Sequence, residues 1–107
     1  KELVETAAKE EIVTGPAKMR CFLEDEVREF DIEVMKVDQE TAEINKGMMI
    51  RVTDEELLEK TGGIIQGMSG SPILQNGKLI GAVTHVFVMD STKGYGIFAE
   101  TMLEQLK

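Results

Sequence analysis

The chain has 107 residues, 12 of them basic and 20 acidic, and a formal net charge of −8. A chain of this length forms one domain and is long enough to bury a hydrophobic core. The acidic excess argues against binding to nucleic acid or to an anionic membrane surface, because both favour clustered lysine and arginine.

The first third of the chain predicts a lead-in followed by two strands. Residues 1–12 contain helix-forming residues but only a weak apolar stripe, so we interpret them as a lead-in. Gly15-Pro16 breaks this pattern, and residues 17–23 are strand-like. After an acidic turn, residues 27–37 alternate strictly, which is typical of a strand with one solvated face. The buried face would hold Phe30, Ile32 and Val34, and the solvated face Glu29, Asp31 and Glu33. That acidic face could receive a basic peptide, but a solvated strand surface is the simpler interpretation.

The middle of the chain predicts a further strand and a short helix. A polar connection is followed by a strand at residues 47–52, and a helix is predicted to begin at Thr53 and to run through Lys60. Thr53 and Glu56 have the spacing of a capping box. Asp54 therefore has a structural role available to it at the start of this helix.

The most informative stretch runs from Gly62 to Val86 and surrounds Ser69. A serine hydroxyl is a poor nucleophile unless a base removes its proton and hydrogen-bond donors stabilise the oxyanion that forms. Gly67 and Gly70 flank Ser69 and lack a Cβ atom, so the backbone can turn sharply there. We predict that the N–H groups of Gly67 and Ser69 form an oxyanion hole.

Two serine motifs are distinguished by the residues that come after Ser69. The nucleophile elbow of α/β-hydrolases needs a glycine two residues after the serine and a helix behind it, whereas this chain has Ser71 and Pro72 there. Asn76-Gly77 then joins two apolar segments, which is a strong signal for a β-hairpin. The pattern is therefore the Gly-x-Ser-Gly-Ser-Pro form of trypsin-like β-barrel peptidases, or else a small-residue turn before a hairpin.

The hairpin leads into a nearly continuous apolar strand at residues 79–89. In trypsin-like enzymes the strand in this place pairs with the substrate backbone. Val83, Thr84 and His85 are therefore predicted substrate contacts, and a partly buried strand histidine is the alternative for His85. The remaining predicted elements are a turn at residues 90–94, a strand at residues 95–99, and a helix at residues 100–106 with Met102, Leu103 and Leu106 on one side.

The sequence contains one cysteine, Cys21, and one histidine, His85. A lone cysteine cannot form an internal disulfide, so cysteine usage leaves the redox compartment open. One histidine and one cysteine far apart form no ligand cluster, so we predict no metal site and no cofactor. Since no apolar run has the length of a signal or transmembrane segment, we expect no direct membrane contact from this chain.

Several short motifs together give the chain a family resemblance. They are VTGPAK at residues 13–18, KGMMI at 46–50, VTD at 52–54, GGIIQGMSGSP at 62–72, GAVTHVFV at 81–88 and GYG at 94–96. With these motifs the chain resembles the SpoIVB family, which are serine peptidases of endospore-forming bacteria. The resemblance covers nearly the whole chain and is densest from residue 46 onward.

The resemblance implies that Ser69 is the nucleophile and that Asp54 is the catalytic aspartate, which orients a general-base histidine. In the family, that histidine lies upstream of the aspartate, after a membrane anchor and a PDZ domain, and we expect none of the three within residues 1–107. We therefore expect residues 1–107 to be a single domain, the C-terminal part of the peptidase domain. Its expected fold is mainly β, a portion of a trypsin-like (chymotrypsin-fold) barrel, with one short internal helix and a C-terminal helix.

The same resemblance implies a biological role. The full enzyme would act in the space between the two membranes around the forespore, where cleavage of a regulatory membrane protein leads to activation of a mother-cell sigma factor. The expected partners are a peptide or protein substrate and the missing N-terminal part of the same peptidase. We expect this chain alone to be inactive, and its exposed partner-facing side to favour a homodimer. The alternative is a non-catalytic module that binds a peptide or partner chain and keeps the serine loop as structure.

Overall fold

The computed structural model describes residues 4–106, and it places their strands in a closed antiparallel barrel. The six strands are β1 (Gly15–Leu23), β2 (Glu26–Val37), β3 (Met48–Val52), β4 (Pro72–Gln75), β5 (Lys78–Val86) and β6 (Lys93–Phe98). Their order around the barrel is β1-β2-β3-β6-β5-β4, and every neighbouring pair is antiparallel. The prediction of a mainly β barrel is confirmed.

Two short helices accompany the barrel, α1 (Glu55–Thr61) and α2 (Ala99–Gln105). Within the described part of the chain, no helix has the length and apolar character needed to cross a bilayer. The predicted capping box is wrong, because Asp54 is the N-cap of α1 in place of Thr53, and Glu56 forms an ion pair with Arg28. Leu103 and Leu106, on the predicted apolar side of α2, remain exposed because the helix is buried only at its first residue.

The alternation predicted for β2 is confirmed. Phe30, Ile32 and Val34 are all buried inside the barrel. The acidic residues on the outer face of β2 are paired with cations of the neighbouring strands, in the ion pairs Lys18–Asp31, Arg20–Glu29 and Arg51–Glu33. This pairing accounts for the acidic row without any basic peptide.

Two tight turns set the register of the β1–β2 and β4–β5 hairpins. Asn76 and Gly77 have positive φ angles of 53° and 77°, as the twist of a two-residue hairpin turn requires. Glu24 and Asp25 adopt the same left-handed region with φ of 54° and 66°, although neither is a glycine. Beyond the second hairpin, β5 ends at Val86, three residues before the predicted end of the strand.

The lead-in before β1 packs against the barrel. Ala7 and Ile12 are buried members of the core, and residue 6 forms a parallel bridge with Leu79. Within the described part of this segment, a 3₁₀ helix forms at Lys9–Glu11. The buried side chain of Gln75 accepts from the Val13 N–H at 3.2 Å and donates to the Val13 carbonyl at 2.8 Å. The lead-in therefore covers the β4–β5 side of the barrel.

One end of the barrel collects the segments that carry the predicted site. Because β3 ends there while β4 begins there, this end holds both α1 and the serine loop, which we define as residues 62–71. The β1–β2 turn and residues 87–92, which join β5 to β6, lie at the same end. We call it the serine end of the barrel.

Candidate active site

The serine loop exposes Ser69 at a sharp backbone turn. Gly67 and Gly70 have φ angles of +100° and +90°, a region that residues with a Cβ atom rarely adopt. A Cβ atom at either glycine would meet no other atom within 4 Å. Backbone conformation, and not a lack of space, is therefore the reason for glycine at both positions.

Backbone hydrogen bonds fix this loop onto β5. The Gly70 N–H donates to the Val83 carbonyl at 2.7 Å, and the Val83 N–H donates to the Ser71 carbonyl at 3.0 Å. Within the loop, the Ser71 N–H donates to the Met68 carbonyl at 3.0 Å, and the Met68 side chain is buried. The backbone on both sides of Ser69 is thus held while its side chain faces outward.

The polar groups at Ser69 make few hydrogen bonds. Its hydroxyl donates to the Thr84 carbonyl across 3.4 Å, which is long for a bond between two oxygens. Among residues 4–106, no acceptor is hydrogen-bonded to the N–H of Gly67 or of Ser69. Both donors remain available, which an oxyanion hole needs. The assignment of these two groups to an oxyanion hole stays a prediction.

Asp54 lies at the same end of the barrel, and its carboxylate is engaged. One oxygen accepts from the Leu57 N–H at 3.1 Å, which caps α1. The other accepts from the Asp31 N–H at 3.0 Å, which joins the helix start to β2. A carboxylate has about four lone-pair sites, so each oxygen can still accept a further donor. The structural role is observed, and the catalytic role stays a prediction.

The three predicted substrate contacts differ in what they can offer. Val83 is buried, and its N–H and carbonyl are both bonded to the serine loop. Thr84 lies at a break in the β5–β6 register, between Val83 and His85. His85 is exposed and lies opposite Tyr95. Thr84 and His85 are therefore the accessible members of the predicted set.

No general base is assembled at Ser69 by the described residues. The hydroxyl of Ser69 makes its hydrogen bond to a backbone carbonyl, and His85, the one histidine in the sequence, is not hydrogen-bonded to it. The described residues also hold no cluster of three or more histidine, cysteine or acidic side chains suited to a metal ion.

The sequence reasoning missed two side-chain contacts that support the serine loop and its strand. The Cys21 thiol donates to the Ser71 hydroxyl at 3.3 Å, and burial raises the pKa of this thiol above its ordinary value, so it stays protonated. The Thr84 hydroxyl donates to the Asn45 carbonyl at 2.6 Å. Both pairs are distant in sequence, so no local pattern could have indicated them.

Comparisons with known proteins agree with this fold. The family model for the SpoIVB peptidase S55 matches residues 1–103. The Rv3671c protease from M. tuberculosis, in its active form, has 17% identity and a TM-score of 0.67, with 96% of this chain and 46% of that chain covered. An inactive-form serine-to-alanine mutant of the same protein has 15% identity and the same TM-score, with 96% and 51% covered.

These solved structures share the barrel fold with the chain. At 15% and 17% sequence identity, the two solved structures indicate the fold of the chain alone. The chain spans about half of their length. No curated protein sequence matches the chain.

Proposed function

The chain belongs to the SpoIVB peptidase S55 family, and we propose that it forms the nucleophile-bearing part of a serine endopeptidase. Ser69 carries the proposal. Its hydroxyl is exposed on a loop that is bonded to β5, beside two N–H groups that have no acceptor among the described residues. A nucleophile held rigidly beside free donors is the arrangement that acyl transfer requires.

The proposed reaction uses these groups in sequence. A histidine from outside residues 1–107 takes the proton of the Ser69 hydroxyl, and the serine oxygen attacks the carbonyl carbon of the scissile peptide bond. The oxyanion accepts hydrogen bonds from the Gly67 and Ser69 N–H groups. The histidine then gives its proton to the leaving amine, and water hydrolyses the acyl-enzyme. Asp54 orients the histidine and stabilises its charged form.

We also propose the biological setting of the family for this chain. It would act in the space between the two membranes around the forespore, cleave a regulatory membrane protein, and so lead to activation of a sigma factor in the mother cell. Family membership supports this assignment.

The rest of the peptidase would cover part of the serine end. Phe22 and Val27 face each other across the β1–β2 hairpin, and their exposed fractions are 68% and 63%. We propose that this pair contacts the N-terminal part of the peptidase and, in the isolated chain, a second copy. Light scattering should then show a dimer that Phe22→Ser converts to monomer. A wild-type chain that stays monomeric at high concentration would contradict this proposal.

One observation favours the non-catalytic alternative, a module that binds a peptide or partner chain. The Asp54 carboxylate caps α1 and is bonded to β2. These two structural roles are a sufficient reason for an aspartate at this position. Under this alternative the serine loop is a structural turn, and Ser69 has no special reactivity.

Labelling with a fluorophosphonate separates the two functions. We expect the longer polypeptide that carries the histidine to be labelled rapidly, and its Ser69→Ala variant to resist labelling. Ser71→Ala is the matched control, since it removes the neighbouring hydroxyl of the same motif. Equal labelling of Ser69→Ala and the parent would overturn the proposed peptidase. Residues 1–107 alone should turn over no peptide substrate, and robust turnover would show that the base lies within this chain.

A further inference from the structure

An apolar cavity of about 490 Å³ lies beyond the serine end of β5. It is lined by residues 85–89, Lys46 and Tyr95. Its volume lies in the range of about 300–1,000 Å³ that ligand pockets occupy. None of the chemical steps proposed for Ser69 uses this cavity.

The wall of the cavity exposes large apolar side chains to water. Val88 and Met89 are consecutive in the chain, and their exposed fractions are 97% and 95%. In the same wall, the rings of Phe87 and Tyr95 pack at a centroid distance of 4.8 Å. Exposed apolar residues that gather at a concave site indicate a surface that a ligand covers. Met89 is also flexible enough to adapt to different apolar partners.

The cavity continues the strand that contacts Ser69. The Thr84 carbonyl accepts from the Ser69 hydroxyl, so the residue that is attacked by Ser69 lies beside Thr84. The Thr84 hydroxyl is bonded to Asn45, which immediately precedes Lys46 of the cavity wall. Thr84 therefore connects the nucleophile and the cavity through two hydrogen bonds.

Strand geometry then places substrate side chains in the cavity. In the closed barrel, the pairing of β4 with β5 reaches no further than Ala82, so β5 has an unpaired side at residues 84–86. A peptide that adds there as a strand presents alternate side chains on one face. The residue just before the attacked one faces the same side as His85, and His85 lies opposite Tyr95. The third residue before the attacked one lies two positions further toward the substrate's N-terminus, so its side chain is on the same face and lies near Phe87. Both of these side chains thus point toward the cavity.

The positive charge of Lys46 restricts which substrate side chains the cavity favours. The Lys46 ammonium lies 5.2 Å from the centre of the Tyr95 ring and 3.5 Å from the Glu43 carboxylate. A lysine or arginine of the substrate would bring a second cation next to Lys46, whereas an apolar side chain would bury Val88 and Met89.

We infer that this cavity selects substrates with a bulky apolar residue at the first or third position before the attacked residue, and that Lys46 disfavours a basic residue there. The inference rests on the proposed function, because only a peptide attacked by Ser69 is placed along β5 in this way. It adds a substrate class to that function.

The chain contains its own reporters for a binding test. Tyr95 is its one tyrosine, His85 is its one histidine, and it has no tryptophan. Binding of a peptide to residues 1–107 can therefore be followed by tyrosine fluorescence and by the imidazole signals in NMR spectra, without any turnover. The probes are acetyl-Phe-Ala-Phe-Ala-amide and acetyl-Lys-Ala-Lys-Ala-amide. We expect the phenylalanine probe to shift both reporters and the lysine probe to bind about tenfold more weakly.

Three variants sharpen the test. Met89→Ser should weaken the phenylalanine probe by about three- to tenfold, because an apolar contact is lost. Leu106→Ser is its matched control, since Leu106 is an exposed apolar residue at the C-cap of α2, which follows the opposite end of β6, and it should change nothing. Lys46→Met keeps the length of the side chain but removes the charge, so it should reduce the preference against the lysine probe.

Three results would overturn the inference. The first is equal binding of the two probes, and the second is a titration that leaves both His85 and Tyr95 unshifted. The third is a shift of Tyr95 with protein concentration alone that Met89→Ser abolishes, since a second copy would then occupy the cavity. Each of these can occur while the longer polypeptide is still labelled at Ser69, which would leave the proposed peptidase intact. Loss of labelling with selective peptide binding would overturn the peptidase instead.

Discussion

The start of α1 and the serine loop lie at the same end of the barrel but use their polar groups in opposite ways. At the helix start, both oxygens of Asp54 accept backbone N–H groups, one from α1 and one from β2. In the serine loop, the backbone is bonded to β5 while Ser69 keeps an exposed hydroxyl with one long contact. At the helix start, the Asp54 side chain stabilises the fold. In the serine loop, backbone hydrogen bonds fix the loop and leave the Ser69 side chain free to react.

This difference gives a way to rank functional residues. Asp54 has a sufficient structural explanation, so its catalytic role depends on the family alone. The Ser69 side chain is exposed and makes one long hydrogen bond, so the fold gives it little structural work. Variants of the serine loop should therefore change activity more than stability, variants of α1 should change stability more than activity, and Asp54 should change both.

Ser69→Ala should have the largest effect. In the longer polypeptide that carries the histidine, we expect turnover to fall by about six orders of magnitude, as for other serine nucleophiles. The exposed side chain supports no part of the barrel, so the melting temperature should be unchanged. Peptide hydrolysis and thermal unfolding of the same preparation test both halves of this prediction.

Asp54→Asn should have the next largest effect, with two separate components. Turnover of the longer polypeptide should fall by about four orders of magnitude if the carboxylate fixes the histidine tautomer. Stability should fall by about 1 kcal/mol, since an amide nitrogen cannot accept the Asp31 N–H while the amide oxygen can still cap Leu57.

Asp54→Ser is the matched control for the capping component. Serine is a good N-cap but has one oxygen and no charge, so it should keep the bond from the Leu57 N–H, lose the bond from the Asp31 N–H, and show about the same losses of stability and turnover as Asp54→Asn. Near-normal turnover in both variants, with only the loss of stability, would make Asp54 purely structural.

The local elements of this fold were predictable because each depends on neighbours in sequence. The alternation in β2 requires only that one face of a strand be buried, and the Asn76-Gly77 turn requires only two residues that tolerate positive φ. The Glu24-Asp25 turn has the same conformation without glycine. There the long pairing of β1 with β2 imposes the turn on residues that do not favour it.

The parts that sequence reasoning missed depend on contacts between distant residues. Barrel closure rests on pairing of β1 with β4 and of β3 with β6, and no local pattern specifies either. The same holds for the bond between Cys21 and Ser71. Residues 87–89 were predicted as strand because they are apolar, yet they leave the sheet and partly face water. Local hydrophobicity cannot distinguish a buried strand from an exposed apolar loop.

Leu57→Ala should affect stability alone. Leu57 is fully buried between α1 and the core, so truncation should cost about 2–5 kcal/mol. Urea unfolding of residues 1–107 measures this loss, and Glu59→Ala, an exposed change in the same helix, is the control. The fraction that remains folded in the longer polypeptide should label with fluorophosphonate at the parent rate. Slow labelling of the folded fraction would show that α1 and the serine loop are not independent.

The smallest effect should arise at Asp90, which lies between the two regions. Its carboxylate accepts from the Thr92 N–H at 3.0 Å and from the Thr92 hydroxyl at 2.5 Å. The residues that it holds reach both regions, since the Thr92 carbonyl accepts from the Val52 N–H at the end of β3 and the Ser91 carbonyl accepts from the Ile64 N–H in the serine loop. Destabilising this turn should therefore weaken the hydrogen bonds both at the end of β3 and in the serine loop.

The lowered pKa of Asp90 predicts that acid destabilises this turn. The Thr92 hydroxyl first, then its N–H, and more weakly Lys93, hold the pKa of Asp90 below its ordinary value of 3.8. A carboxyl group with a lowered pKa contributes its full stabilisation above the ordinary value and loses it as the pH falls through the folded value. Hydrogen exchange at the Ile64 and Val52 amides, corrected for intrinsic rates, should thus be constant near neutrality and become faster below about pH 4. Asp90→Asn keeps an acceptor oxygen without a titration, so its protection should lose this acid dependence, whereas an unchanged profile would place the acid response at another carboxyl group.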